Sequence, residues 1–371
     1  MQITIRPLDL ASDQELEQYR AVITATDDAT YGGHEEQTLD QARAELRDTP
    51  YWSQQRWIAE IEQMEGGTAV VGAGSLMLPL QENTDQVHLH VTVHPAFRGQ
   101  GVATALLEQA LVPAVRDSGR SLITSWGEIP VEGDADDPAL PVNRLAHRLG
   151  LERRNLAVCR ILPLPLEDAL LDELAAEAQE KLGQYRIEVW EEVPEQHLEA
   201  YGRLLHQIEL DEPDEDIEGD PAQFTPERVR VIEQRRRDRG MGCLMAVAIA
   251  PSGELAGNSE VQFQTAQGTT LAWQESTLVM PEHRGHRLGL ALKVATHRLL
   301  KECLPEVHSL ATFNSHVNPW MIGINERLGY RVAFREIGFQ GRPDLSKGLL
   351  PGSEAGVEAS TSADGSATMG A

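Results

Sequence analysis

The spacing of apolar positions changes period along this chain in an order that occurs twice. Residues 69–78 and 87–93 are short, β-branched apolar runs with the near-alternation of strands. A His-Pro corner and a Gly- and Arg-containing loop follow, and then a helix-periodic stretch from about Gly101, with Pro113 marking its weakening end. The second half repeats the sequence of events through Ser259–Phe263, Thr277–Val279, a Met-Pro corner and a basic loop. Arg98-Gly99-Gln100-Gly101 lies 186 residues before Arg284-Gly285-His286-Arg287. Val71-Gly72-Ala73-Gly74 answers Ala256-Gly257-Asn258 at about 185, Ser121–Thr124 answers Ser309–Thr312 at 188, and Leu149-Gly150-Leu151 answers Leu328-Gly329-Tyr330 at 179. Four landmarks in one order at nearly one offset indicate one fold used twice.

The first copy reads as a strand at Ile3–Ile5, a helix over about Asp13–Ala25, a polar loop (26–38) and a helix near Asp40–Arg47. Strands follow at Arg56–Ile61, Ala69–Leu78 and Val87–Val93, then the helix after the basic loop, a strand at Leu122–Trp126, a helix at Val142–Leu149 and a strand at Leu156–Leu162. Between the copies, Leu170, Leu171, Leu174, Ala178 and Leu182 have helical spacing. From Asp344 the chain turns to Gly, Ser, Ala and Thr, too poor in large apolar side chains to pack. The expected organisation is therefore residues 1–165 and 185–343 as two domains, 166–184 as a linker helix and 344–371 as a disordered tail.

Composition narrows the class. A chain of 371 residues with 41% hydrophobic and 24% charged residues suits two globular domains. Lys and Arg total 32 against 58 Asp and Glu, a net charge of −26, which repels nucleic acid and anionic membranes and attracts cations. No apolar run approaches the roughly 20 residues of a membrane span, and the N-terminus does not read as a signal peptide. Cys159, Cys243 and Cys303 stand far apart, so neither a disulfide framework nor a metal site is expected. The expected location is the cytoplasm. The sequence gives no signal for oligomeric state.

Each strand, basic loop and helix start forms a seat for phosphate, because the first amides of a helix lack partners and its dipole favours an anion. A Walker loop would need Gly-Lys-Ser/Thr, which neither copy has. A dinucleotide fingerprint fails at Thr104, where its third glycine should stand.

On these motifs the chain resembles the GNAT superfamily of N-acetyltransferases in tandem form, a two-domain plan shared with the mycothiol-synthase type. The family loop [Gln/Arg]-x-x-Gly-x-[Gly/Ala] is met in full by Arg98, Gly99, Gln100, Gly101, Val102 and Ala103. Arg284, Gly285, His286, Arg287, Leu288 and Gly289 meet it except at Arg287. The resemblance implies an α/β (α+β) fold, each domain a mixed, mostly antiparallel central sheet flanked by helices. It implies acetyl-CoA as cosubstrate, held by the two loops, with backbone near Val93 and Val279 meeting the pantetheine arm and polarising the thioester. It also places Asn318 where the family contacts CoA. The family's usual thiolate acid, a tyrosine, is replaced by Asn325 and Ala146.

Glu275, nine residues before Arg284, is the candidate base, and Asn314 at a strand exit joins it; the first copy has Leu89 and Trp126 there, with His88 and His90 beside Leu89. The second copy is therefore the expected working half. Its segment Glu209–Asp220 carries eight carboxylates in twelve residues, either a solvated loop or an attractor for a cationic amine. The expected activity is acetyl transfer to the primary amine of a small molecule. The alternatives are a non-catalytic acyl-CoA-binding or regulatory protein, or an acetyltransferase acting on protein lysines or N-termini.

Overall fold

The computed structural model describes residues 2–31, 36–63, 66–211, 215–315 and 319–351. Its first half contributes strands β1 (Ile3–Pro7), β2 (Trp52–Glu62), β3 (Thr68–Pro79), β4 (Gln86–Val93), β5 (Leu122–Ile129) and β6 (Glu152–Pro163). Its second half contributes β7 (Arg186–Trp190), β8 (Met241–Ile249), β9 (Leu255–Gln264), β10 (Leu271–Val279), β11 (Ser309–Ser315) and β12 (Arg331–Gly341). All twelve join in one sheet of order β1-β2-β3-β4-β5-β12-β6-β11-β10-β9-β8-β7. Two pairs are parallel, β4 with β5 and β10 with β11; the others are antiparallel. This is the mixed, mostly antiparallel α/β architecture expected.

The two halves are interleaved in the sheet. The halves exchange their last strands: β12 lies between β5 and β6, and β6 pairs with β11. Ile337 and Phe339 of β12 complete the first half's core, and Leu162 of β6 packs into the second's. A cut at residue 165 thus encloses a chain segment but not a closed sheet. Apolar periodicity identifies strands without naming their partners, so the sequence could not show the exchange.

Helices α1 (Asp13–Tyr31) and α2 (Leu39–Glu45) follow β1. The first runs beyond the expected Ala25, with Thr26 Oγ1 donating back to Val22 O at 2.9 Å. After the first basic loop come α3 (Val102–Leu106), a single π turn (Leu107–Leu111) and α4 (Val112–Ser118). The π turn, in which Val112 N–H bonds Leu107 O, widens the helix just before Pro113 and carries it on to a left-handed cap at Gly119 (φ 70°). The helix therefore does not weaken at the proline. Helix α5 (Pro141–Leu149) closes on Gly150, and α6 (Asp168–Leu182) spans the region between the copies. The second half adds α7 (Leu198–Asp211), α8 (Pro226–Asp238), α9 (Leu288–Cys303) and α10 (Pro319–Leu328).

The start of the expected tail is packed. Leu345 is buried in the first half's core, and Leu350 N–H donates to Arg148 O at 2.8 Å. Residues 352–371 lie outside the described residues.

Candidate functional site

Each parallel pair opens into a V. Hydrogen bonding between β4 and β5 ends at His88–Thr124, although β4 runs on to Val93 and β5 to Ile129. Between β10 and β11 it ends at Trp273–Ala311, with β10 continuing to Val279 and β11 to Ser315. Two strand edges that diverge leave backbone donors and acceptors facing a gap, which an extended amide-bearing ligand can bridge as an added strand would. Val93 and Val279, half-buried, end the inner strand of each V.

Both loops sit at the end of that strand and are built alike. Arg98 Nε donates to Val93 O at 3.3 Å, and Arg284 Nε to Val279 O at 3.2 Å. Gly99 (φ 75°), Gly101 (φ 86°) and Gly285 (φ 88°) take left-handed backbone, and a Cβ added at any of them would meet nothing within 4 Å. Open space beside glycine amides at a helix start is the cradle a pyrophosphate needs. Val102 and Leu288 turn their side chains into the core, Ala103 is half-buried, and Gly289 lies 3.8 Å (as Cβ) from Val279 and Ile324. Gln100 folds back on Ala96 O at 3.1 Å.

The second loop differs at one residue. Arg287 occupies the left-handed cap that Gly101 occupies in the first (φ 54°). Its guanidinium turns to α6, donating to Glu177 O at 2.6 Å and Glu180 Oε2 at 2.7 Å, while His286 Nδ1 meets Lys181 O at 3.2 Å. Arg284 pairs with Asp211 at the end of α7.

The V between β10 and β11 continues into a cleft of about 490 Å³, a size suited to a small molecule. It brings Glu275 and Asn314 together in one lining. The β9–β10 register shifts between Gln274 and Thr277, so Glu275 lies on a bulge that presents it exposed while Gln274 is buried. Asn314 Oδ1 accepts from Asn325 Nδ2 at 2.8 Å, and Asn325 is fully buried. Asn318 lies outside the described residues.

The cleft floor is polar and connected. Glu260 accepts from Arg236 Nη1 at 2.8 Å, Gln262 Nε2 at 2.7 Å and Tyr201 OH at 3.0 Å. Burial, followed by the Glu260 charge, pushes the Tyr201 hydroxyl well above its ordinary pKa. Gln274 Nε2 donates to Glu260 O at 2.7 Å, and Thr312 Oγ1 to Gln274 O at 3.0 Å. Stacked Trp273 and Phe313 (ring centroids 6.1 Å) line one side. Glu209 and Asp211 reach the cleft from α7, where burial raises the pKa of Glu209.

The described parts of the acidic segment are divided between the cleft and the first half, and residues 212–214 lie outside the described residues. Residues 215–223 lie along the first half: Leu156 N–H donates to Glu215 Oε1, Glu218 N–H to Gln340 Oε1 at 2.7 Å, and Asp220 N–H to Asn83 Oδ1 at 2.7 Å. Among the described residues, the carboxylates that line the cleft are Glu209 and Asp211, joined by Glu233, Glu260 and Glu275.

Sequence reasoning missed Lys293. It lines the cleft from α9, is fully buried, and its Nζ has no hydrogen-bond partner among the described residues; the Tyr330 ring lies 5.7 Å away. Burial lowers its pKa to about 7. The signal was available in the repeat, because at the loops' offset of 186 Lys293 stands on Leu107.

The two V-shaped openings, each ending at a glycine-containing loop and a helix start, are the features of a GNAT-type acyltransferase fold, present here twice. Residues 53–133 match the family model described as an acetyltransferase (GNAT) domain, and the whole chain has the two-domain GNAT architecture. It is similar to a tandem GNAT protein from the clavulanic acid biosynthesis pathway, with 25% identity over 92% of this chain and 98% of that one and a TM-score of 0.73. It shares its fold with a GCN5-related N-acetyltransferase from Sphaerobacter thermophilus (17% identity, 92% and 96% coverage, TM-score 0.59). The same holds for Saccharomyces cerevisiae N-myristoyltransferase, solved with bound myristoyl-CoA (9%, 92% and 82%, TM-score 0.56). No curated protein matches the chain. Among the described residues no helix is long and apolar enough to cross a membrane.

Proposed function

We propose that this protein transfers an acetyl group from acetyl-CoA to the primary amine of a small cationic molecule in the cytoplasm, with the chemistry in the second half. The observation that carries this reading is the cleft of about 490 Å³ continuous with the β10–β11 opening, with Glu275 on a bulge and Asn314 in the same lining. Acetyl-CoA supplies an activated acyl carbon. The chain's part is to hold, polarise and deprotonate.

The loop from Arg284 to Gly289 seats the pyrophosphate through backbone amides, with Arg284 adding charge. Free backbone on the diverging edge near Val279 holds the pantetheine arm and donates toward the thioester oxygen. Glu209, Asp211 and Glu275 draw the ammonium group into the cleft, and Glu275 receives its proton directly or through water. Asn314, held by Asn325, orients the reacting groups. Because Asn325 stands where the family has its tyrosine, the leaving thiolate takes its proton from the reacting amine or water.

The first half retains the loop and the V but has Leu89, Trp126 and Ala146 at the matching positions. This favours a second, acyl-CoA-binding role without chemistry for that half. The test is thiol release from acetyl-CoA across a panel of amines, run on the parent, Arg98→Ala and Arg284→Ala. Loss of turnover in Arg284→Ala with retention in Arg98→Ala is expected. Donor binding without thiol release from any amine would leave a binding protein, and acetyl-CoA consumed only with protein acceptors would move the activity to protein acetylation.

A further inference from the structure

Two core positions of α9 carry polar side chains where the first half has leucine. At the loops' offset, Lys293 stands on Leu107 and His297 on Leu111. Leu107, Leu111 and Lys293 are fully buried, and His297 is 3% exposed. Neither Lys293 Nζ nor either ring nitrogen of His297 has a hydrogen-bond partner among the described residues. Burying such groups unpaired is costly, and the first copy shows that the fold accepts leucine at both places.

Their surroundings give the pair a direction. Four residues apart on one helix, they share a face. Lys293 lines the acceptor cleft. His297 lines a second cavity of about 200 Å³, walled by Leu164, Leu166, Leu300, Val307 and the ion-paired Lys301, which shares no lining residue with the first. The two side chains thus bridge, within one helical turn, an acceptor cleft that substrates would fill and a separate cavity that they would not.

We propose that Lys293 and His297 form a proton route through α9, Lys293 taking the proton that an acceptor ammonium must lose and His297 passing it to solvent water entering the second cavity. This rests on the acyltransfer reading above. The reaction of R–NH3+ with an acetyl thioester yields the amide, a free thiol and one proton. The ammonium N–H bond breaks, its proton reaching neutral Lys293 directly or by way of Glu275. The amine lone pair then forms the C–N bond as the C–S bond breaks, and the second amine proton goes to the thiolate. Lys293 returns to neutral by passing its proton to His297 through an intervening water, because the two side chains share a helix face but are not hydrogen-bonded to each other. An imidazole accepts at one nitrogen and releases from the other, so His297 remains neutral overall.

The charged groups around α9 leave this pair to itself. On α6, Asp168 and Asp172 are bonded to Lys301 and Arg298, and Glu177 and Glu180 to Arg327 and Arg287. Arg186 and Glu188 on β7 pair with each other, and Glu260 on β9 is held by Arg236 near Cys243 of β8. Glu275 on β10 lines the cleft, and the Tyr330 hydroxyl has no partner among the described residues. Burial alone brings the Lys293 amine down to about 7; burial, then the Lys293 charge, brings His297 down to about 3.

The test is the pH profile of kcat, read as thiol release with the best amine of the panel, for the parent, Lys293→Met and His297→Phe, with donor affinity measured alongside. The parent should show a limb rising between pH 6 and 8, in line with an amine titrating at about 7. In Lys293→Met that limb should vanish and kcat at pH 7.5 should fall about 100-fold, with donor affinity unchanged, in the range for losing a positioned base. His297→Phe should keep the limb and lose roughly tenfold in kcat, less than the about 100-fold or more that loss of the base itself costs. An independent readout is the 13Cε resonance of Lys293, which should titrate near neutrality in the parent. Normal thiol release with an unchanged profile in Lys293→Met would overturn the route alone. Acetyl mass retained on Lys293 would also overturn it, making the amine a nucleophile. No thiol release from the parent with any amine would overturn the acyltransfer reading and the route with it.

Discussion

Asn325 Nδ2 donates to Asn314 Oδ1 across 2.8 Å, from a side chain with no exposed surface to one lining the cleft between β10 and β11. The residue standing where the family has a tyrosine acid therefore acts on the site by holding another residue. Replacing Asn325 by Leu should lower kcat about tenfold and stability by roughly 1–2 kcal/mol, the cost of a lost buried hydrogen bond. Asn314→Ala should have a similar effect on kcat. Because both remove one interaction, the double variant should be little worse than either single one, a coupling that thiol-release kinetics on the four proteins would read.

Arg287 holds a left-handed backbone (φ 54°) and spends its guanidinium on α6. The two effects oppose each other, since glycine would relieve the backbone while losing the contacts to Glu177 and Glu180. Arg287→Ala loses the contacts and keeps the strain. Arg287→Gly should therefore be the more stable of the two by about 1 kcal/mol, the typical left-handed penalty for a non-glycine residue. Urea unfolding of the pair measures it; equal midpoints would mean that the loop relaxes freely.

Carboxylates that line the cleft should matter to a cationic acceptor, and those bound along the first half should not. Glu209→Gln should raise the amine KM roughly three- to tenfold, about 1 kcal/mol of lost attraction. Glu215→Gln should leave it unchanged, because its carboxylate accepts from Leu156 N–H on β6. Burial raises the pKa of Glu209, so the parent's amine KM should also rise as the pH falls through that group's titration, and the rise should be absent in Glu209→Gln.

The exchanged strands make a further prediction about the halves. A fragment of residues 1–165 keeps β6 without β11 or β12 and leaves β5 without β12. The unpaired edges of β5 and β6 and the missing Ile337 and Phe339 should drive it to dimers or aggregates in size-exclusion chromatography. A stable monomer would show that β6 can turn back to pair with β5.

What was legible in the sequence was whatever a local pattern encodes. The strand, loop and helix around Arg98 and Arg284, the cap at Gly150 and the helix between the copies follow from spacing and turn chemistry. Glu275 was reached by its offset from the loop and Asn314 as a strand exit; both side chains line the cleft beside β10 and β11. Pairings over long separations were not legible: β12 between β5 and β6, Glu218 on Gln340, Arg236 on Glu260. Lys293 fell between these cases. Among Leu290, Leu292 and Val294 its long aliphatic stem passes for an exposed helix residue, and only laying it on Leu107 shows that the position is core.

That core position has a consequence for stability apart from any catalytic role. The unfolded chain holds the Lys293 proton up to about pH 10.5, and the native state only up to about 7. Between those values the unfolded state binds the extra proton, so this residue makes native stability rise with pH, by at most about 1.4 kcal/mol per unit. Below pH 7 the native state bears the full burden of a buried cation. Lys293→Leu, which copies Leu107, removes that burden. The variant should be more stable than the parent by a few kcal/mol near pH 7, on the order of what burying an unpaired charge costs, and the gap should narrow toward pH 10. His297, lowered to about 3, has finished titrating in both states above pH 7.5, so measurements there isolate Lys293. Urea midpoints at pH 7.5, 8.5 and 9.5 are the check. A gap constant across that range would show that Lys293 keeps an ordinary pKa in the folded protein.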